Sequence, residues 1–426
     1  MKRLTSLYLY FLIGFFPLVF SSDGFSNIFA TKRFFFFVVT GIYLITLVIL
    51  CIVYRKMPYL NTACIFAIIY LIISALSAFL SSSFPHTVFG VSRYEGLFTL
   101  FLYVALFIAF SAFGSVSAGH VYTLIGSSTL FGIVCVLQLQ GLNPFGLYPK
   151  GYNFFDGGVR YSGSSLGTIG NADFVGAYLC IVIPILFYVL FRSRIRLRFF
   201  AAVPLYLLIY TVSKMSVMAS IVGLLACTVF AVPDILKLKK RSVLIYALAV
   251  ASCAVVAIMY LKSNDHGTGL LHEIHEILNG HISPEFGSNR IRIWKNVISV
   301  IPENLLLGNG PDTMLLERFE KFSTFYPALN KTLTSTIDVA HNEYLNVLYH
   351  QGILGLTAFL ATIIASLKNV FPSSSVTGSA LCISLIAYLV QAFFGISICL
   401  VSPFFWVTLA LASQKPPMSE ALSFRY

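Results

Sequence analysis

Long apolar runs broken by short polar segments dominate this chain. Runs of about 20 residues, the length that crosses a hydrocarbon core of about 30 Å, recur from one end to the other. They predict membrane-spanning helices over residues 7–20, 34–53, 59–80, 97–113, 121–139 and 174–191, then 199–212, 215–232, 243–261, 344–367, 378–394 and 396–412. The first and seventh runs are short and the last two nearly fuse, so the expected architecture is all-α and polytopic, with about twelve transmembrane helices. Residues 1–261 form the first nine, 262–340 one large loop between helices nine and ten, and 341–426 the last three.

Four segments on one face carry most of the polar information: 81–96, 140–173, a tight turn at Ser213 and Lys214, and 262–340. The long loop is no Pro/Ser-rich linker, because it holds amphipathic pieces. Ile291, Trp294, Val297, Ile298 and Ile301 recur at a helical spacing of three and four. Pro302 and the Gly308/Gly310 pair end that helix. It is expected to lie at the interface, with Trp294 at headgroup depth.

Composition agrees: 58% of the 426 residues are hydrophobic and 10% charged, against about 25% charged in a soluble domain. The net charge of +12 is a topology signal. Fifteen cations, among them Lys2, Arg3, Arg192 to Arg198 and Lys237 to Arg241, fall beside one set of ends with only Asp234 and Glu420. The opposite face is almost neutral. The positive-inside rule then puts both termini in the cytoplasm and the long loop outside, and nucleic-acid binding has no place. All eight cysteines lie within expected spans, so no disulfide framework or zinc spacing is expected. The basic, apolar N-terminus lacks a convincing cleavage site and reads as a retained helix.

The chemistry gathers in AHNEYLNVLYHQGILGL, residues 340–356, where the polar loop meets an apolar helix. An ionisable cluster at such a boundary is costly and points to a site. With Asp338 as the helix cap, His341 would sit in the first turn, where free N–H groups keep its ring neutral, as a general base requires. The plainer alternative is a boundary histidine bonded to water or a carbonyl. Glu343, two residues on, points away from His341; it either binds acceptor hydroxyls or is a favourable anion in a first turn. On the same face, Arg93, Arg160, Lys214, Arg290 and Arg292 come from four segments. Each either binds an anion or snorkels to headgroups, and Arg93 and Glu95, at a span entrance, either serve the site or only pair with each other. Asn171 is either a ligand contact or an N-cap.

Together FGVSRYEGL, RYSGSSLGTIGNADFVGAYL, TVSKMS, SNRIRIW with ENLLLGNG, and AHNEYLNVLYHQGILGL resemble, in order over residues 89–356, the bacterial O-antigen ligase and Wzy-polymerase-like membrane glycosyltransferases. The resemblance implies a GT-C-like helical fold in the plasma membrane and transfer of glycan from a polyprenyl diphosphate carrier to a glycan, lipid or protein acceptor. It makes His341 the catalytic residue. Arg290 and Lys214 match the family's phosphate-binding positions, with Arg160 and Arg93 as further diphosphate contacts and Glu343, Asn342 and Asn171 as acceptor or substrate contacts. The family usually has arginine where this chain has Lys214, and lysine lacks arginine's planar fork. No carboxylate cluster with metal-ligand spacing is visible, so no metal and no cofactor are expected. A transporter of a small anion or lipid-linked glycan is the competing class; it would place its charges at midplane in two related halves.

Overall fold

The computed structural model describes residues 1–147, 165–215, 218–267, 270–317, 319, 321–326, 331–371 and 375–414. Its α-helices are α1 (Lys2–Tyr10), α2 (Ile28–Val53), α3 (Thr62–Leu80), the single turn α4 (His86–Phe89), α5 (Leu97–Phe113), α6 (Ala118–Leu139) and α7 (Ala172–Arg192). They continue with α8 (Ala202–Met215), α9 (Met218–Ile235), α10 (Lys240–Ser263), α11 (Leu270–Leu278), α12 (Arg290–Val300), α13 (Glu343–Leu367), α14 (Val376–Gln391) and α15 (Ser402–Ala412). Each of the twelve apolar runs holds a helix. Six of these, α2, α3, α6, α7, α10 and α13, are long and apolar enough to cross a membrane, and α5, α9, α14 and α15 are shorter apolar helices. The protein is a helical, multi-pass membrane protein.

One apolar core joins the bundle, with α13 against α3, α14 between α7 and α9, and α15 against α5. α10 buries none of its most apolar stretch within the protein. Beyond α1 the helix loosens and tightens through Leu18, where Pro17 cannot donate to an α-ladder. The buried Lys32 Nζ compensates by donating to the carbonyls of Phe16 and Pro17 at 2.6 and 3.1 Å.

Three departures from the expected elements shape the site. First, α13 is broken at Gly352 (φ 67°, ψ −173°), a conformation open essentially to glycine alone. The turn at 305–310 fills the break: Asn309 and Gly310 N–H donate to the Tyr349 and His350 carbonyls, each at 3.0 Å, and Ile353 N–H reaches Leu305 O at 2.8 Å. A Cβ on Gly352 would lie 2.3 Å from Leu306 O, and one on Gly308 2.5 Å from the His350 carbonyl carbon. Two glycines thus let backbone pack on backbone while the Tyr349 and His350 carbonyls and the Ile353 and Leu354 N–H groups keep partners. Second, the last apolar run becomes helical only at Ser402. Before it, Ser397 and Cys399 donate their N–H groups to the carboxylates of Glu343 and Glu95, at 2.8 and 2.6 Å, in place of a helical ladder. Third, the long loop adds α11 and an antiparallel hairpin, β1 (Phe322–Tyr326) with β2 (Lys331–Ser335), which no periodicity had suggested.

The amphipathic helix expected in that loop is present as α12, but its buried face differs. Ile293, Val297 and Ile301 pack with Met314, Ile337, Ala340 and Tyr349, while Ile298 is exposed. Trp294 is packed against protein rather than standing free among headgroups. Its Nε1 donates to Ala340 O at 2.9 Å, and its ring meets Phe393 edge-on.

Candidate active site

The start of α13 corrects the expected cap. Asn342, not Asp338, is the N-cap: its Oδ1 accepts the Leu345 N–H at 3.0 Å. His341 therefore precedes the helix, in a left-handed conformation (φ 49°) that is costly for a residue with a Cβ. Its neighbours hold it there, since Trp294 fixes the Ala340 carbonyl and Asn342 is bound into the cap. The imidazole is half-buried and makes no hydrogen bond among the described residues.

Two ion pairs flank that ring. Arg93 grips Asp338, with Nη2 at 2.7 Å and Nε at 2.9 Å from Oδ2, and the Ser92 hydroxyl adds a third contact at 2.9 Å. Arg290 faces Asp173 at 3.5 Å, while its Nη1 and Nε donate to the carbonyls of Gly287 and Phe394 at 2.8 and 3.3 Å. Burial first, and then the positive charge of Arg290, push the His341 imidazole down to about 4; Asp173 and Asp338 oppose this and Arg93 adds to it. The ring is neutral as expected, but through burial and charge rather than through a first-turn position.

Arg93 and Glu95 do not pair with each other. Glu95 turns inward, accepting the Tyr103 hydroxyl at 2.9 Å and the Cys399 N–H at 2.6 Å, and burial pushes its carboxyl well above the usual range. The loop carrying both residues is tied down by Asp312, whose Oδ2 accepts the N–H groups of Ser92, Arg93 and Glu95 at 3.1, 3.0 and 3.3 Å. Beneath it lies a cavity of about 40 Å³ lined by Arg93, Glu95, Asp312, Glu343, Asn346, His350 and Gln351 among others. Glu343 accepts Ser397 N–H there. The buried His350 Nε2 and Gln351 Oε1 have no partner among the described residues. That volume holds a few water molecules.

The fold thus brings together His341, Asn342, Glu343, Arg290 and Arg93 from three of the sequence motifs. Asn171 is the N-cap of α7, its Oδ1 accepting the Asp173 and Phe174 N–H groups at 2.8 and 3.4 Å, which leaves Asp173 for Arg290. Arg292 faces Glu285 at 3.7 Å. Ser213 and Lys214 belong to the last turn of α8 rather than to a free turn; Lys214 is exposed, with Nζ 6.0 Å from the Tyr210 ring. Arg160 lies outside the described residues, as do Lys415, Glu420 and Arg425. Sequence reasoning missed the partners Asp173, Asp312 and Asp338 as site residues. Their signal was only that each acid stands in or beside a motif that also carries a cation or a glycine pair. Among the described residues no group of three His, Cys, Asp or Glu side chains converges to hold a metal ion.

No curated protein matches the chain. Residues 199–360 match the family model described as O-antigen ligase. That segment contains Lys214, Arg290, His341, Asn342 and Glu343, whereas Arg93 and Asp173 reach the same site from outside it. Within this multi-pass helical bundle, residues 199–360 are thus similar to the O-antigen ligase family.

Proposed function

We propose that this protein is an inverting, metal-independent glycosyltransferase that moves glycan from a polyprenyl diphosphate carrier to an acceptor hydroxyl on the outer face of the plasma membrane. The observation that carries the reading is a neutral, unbonded His341 set between two arginine–aspartate pairs. A sugar diphosphate is a good leaving group and needs cations more than acid catalysis. Arg93 and Arg290 supply them, each held in the free protein by an aspartate that a diphosphate can displace, because phosphate binds arginine bidentately and carries more charge. Lys214 and Arg160 are further candidates for the same role, and Glu343, Asn342 and Asn171 for contacts to the acceptor or substrate.

The acceptor hydroxyl is a poor nucleophile, and His341 takes its proton as the oxygen attacks the anomeric carbon and the bond to the diphosphate breaks. Diphosphate binding also cancels the arginine charges that depress His341, so the base strengthens once donor is in place. Ligase and polymerase share this chemistry and differ in acceptor. Transport is the weaker reading: the broken helix α13 has its opened backbone bonded by the 305–310 turn rather than facing a substrate path.

The test is glycan transfer by purified protein in lipid, with wild type, His341→Ala and Lys214→Ala compared on a polyprenyl-diphosphate glycan. Loss of transfer in His341→Ala is expected, and undiminished turnover in that variant would remove His341 as the base.

A further inference from the structure

Arg33, on the second turn of α2, stands out among the cations near the site. Its guanidinium lies 3.5 Å from the centre of the Tyr94 ring and 6.0 Å from that of Phe29. Tyr94 sits directly between Arg93, which grips Asp338, and Glu95, which lines the interior cavity. Arg33 also lies within electrostatic reach of Cys399, whose N–H is bonded to Glu95. Its ring partner thus belongs to the same loop as Arg93, at the same end of the bundle as His341.

What separates it from its neighbours is that its charge is unspent. Arg93 and Arg290 face aspartates, and the adjacent Lys32 is consumed by the carbonyls of Phe16 and Pro17. Arg33 makes no ion pair or hydrogen bond among the described residues, and its Nη1 is buried without a partner. Burying the Nη1 donor without an acceptor is costly unless a ligand supplies one. The Tyr94 face holds the fork flat and pre-aimed. One turn further along α2 from Arg33, Phe37 packs on Phe98, as does Phe89, with centroids at 5.3 and 5.8 Å, and Phe89 is 61% exposed. An apolar tail can lie there while a charged head meets Arg33.

We propose that Arg33 is a further anion-binding residue, taking the diphosphate of the lipid-linked donor as it enters between α2 and α5 with its isoprenoid chain along Phe37, Phe89 and Phe98. This rests on the donor class proposed above. Arg33 acts on donor binding and touches neither acceptor nor base.

The experiment uses the full-length protein in lipid nanodiscs and measures direct binding of farnesyl diphosphate, together with KM and kcat for the polyprenyl-diphosphate glycan, in wild type, Arg33→Gln and Arg33→Lys. A charge-assisted contact of this kind predicts roughly 10- to 100-fold weaker farnesyl diphosphate binding in Arg33→Gln. KM should rise in parallel while kcat stays within about threefold, and Arg33→Lys should recover part of the loss because lysine keeps the charge but not the fork. Unchanged binding in a folded Arg33→Gln would overturn the proposal. So would an effect confined to phosphatidylglycerol nanodiscs and absent from phosphatidylcholine ones, since Arg33 would then be a headgroup anchor. If wild type binds farnesyl diphosphate but transfers nothing, the glycosyltransferase reading fails while the binding comparison still decides Arg33. Should Arg33→Gln not fold, Arg33→Lys decides alone: full wild-type affinity there would refute a role for the planar fork.

Discussion

If His341 removes the acceptor proton, its titration sets the acid side of the rate profile, and its surroundings fix where. In the free protein, burial and the Arg290 charge bring the imidazole to about 4 from an ordinary 6.5. The profile of kcat/KM reports the free enzyme, so its acid inflection belongs near pH 4. At pH 5.5 an imidazole at 6.5 would be only about one-tenth unprotonated, whereas one near 4 would be ~97% so. That difference of about tenfold in kcat/KM is easily read in a donor-saturation series from pH 4.5 to 8. The kcat profile reports the donor complex, in which diphosphate has cancelled the arginine charges, and its inflection belongs higher, towards 6.5. Arg290→Gln should raise the kcat/KM inflection partway, because burial persists, and should raise donor KM as well. A wild-type kcat/KM inflection at or above 6.5, or one unmoved by Arg290→Gln, would refute the reasoning. Stability moves in the matching direction. A ring kept neutral by folding gains its proton more readily when unfolded, so its neutral state costs nothing above 6.5. It destabilises the fold progressively as pH falls from there towards about 4.

Gly352→Ala places a Cβ 2.3 Å from Leu306 O at φ 67°. Strain and two weakened hydrogen bonds should lower stability by about 2–5 kcal/mol, read as a lower Tm, while Gly126→Ala in α6, which meets open space, should not lower it more than slightly. Asp338→Asn removes the anion that competes for Arg93 at 2.7 Å, so donor KM should fall by a few-fold; a rise would show that Asp338 serves donor binding directly. Treatment with EDTA should leave transfer unchanged, and loss restored by a divalent cation would contradict the metal-independent mechanism.

The helices were legible because hydrophobic length is a strong, local signal: the run at 97–113 coincides with α5 end to end. His341, Arg290 and Arg93 were legible as an ordered set of motifs, and their convergence follows from the bundle. The partners were not. Whether Arg93 meets Glu95, two residues away, or Asp338, on another segment, is decided by the Asp312 carboxylate that turns the intervening backbone, and no periodicity encodes that. The cap failed for a related reason: Asp338 and Asn342 are both good N-cap types, and the Arg93 contact committed the aspartate elsewhere. Arg33 escaped because it stands just before the run at 34–53 and belongs to no motif; only the Tyr94 ring beside it reveals its place.

The junction of Gly308 with Gly352 also bears on how the molecule is assembled. The 305–310 turn leaves the ribosome before α13 exists, when only earlier segments such as Ser81, whose hydroxyl donates to Asn309 O at 2.6 Å, are there to hold it. Its contacts to α13 form only once that helix is made and broken at Gly352. The same loop carries α12, whose Trp294 binds Ala340 O beside His341, so the turn's seat on α13 and the site are built from one segment. Completion of the site therefore depends on contacts far apart in the chain, since Arg290 also needs the Phe394 carbonyl and Glu343 the Ser397 N–H.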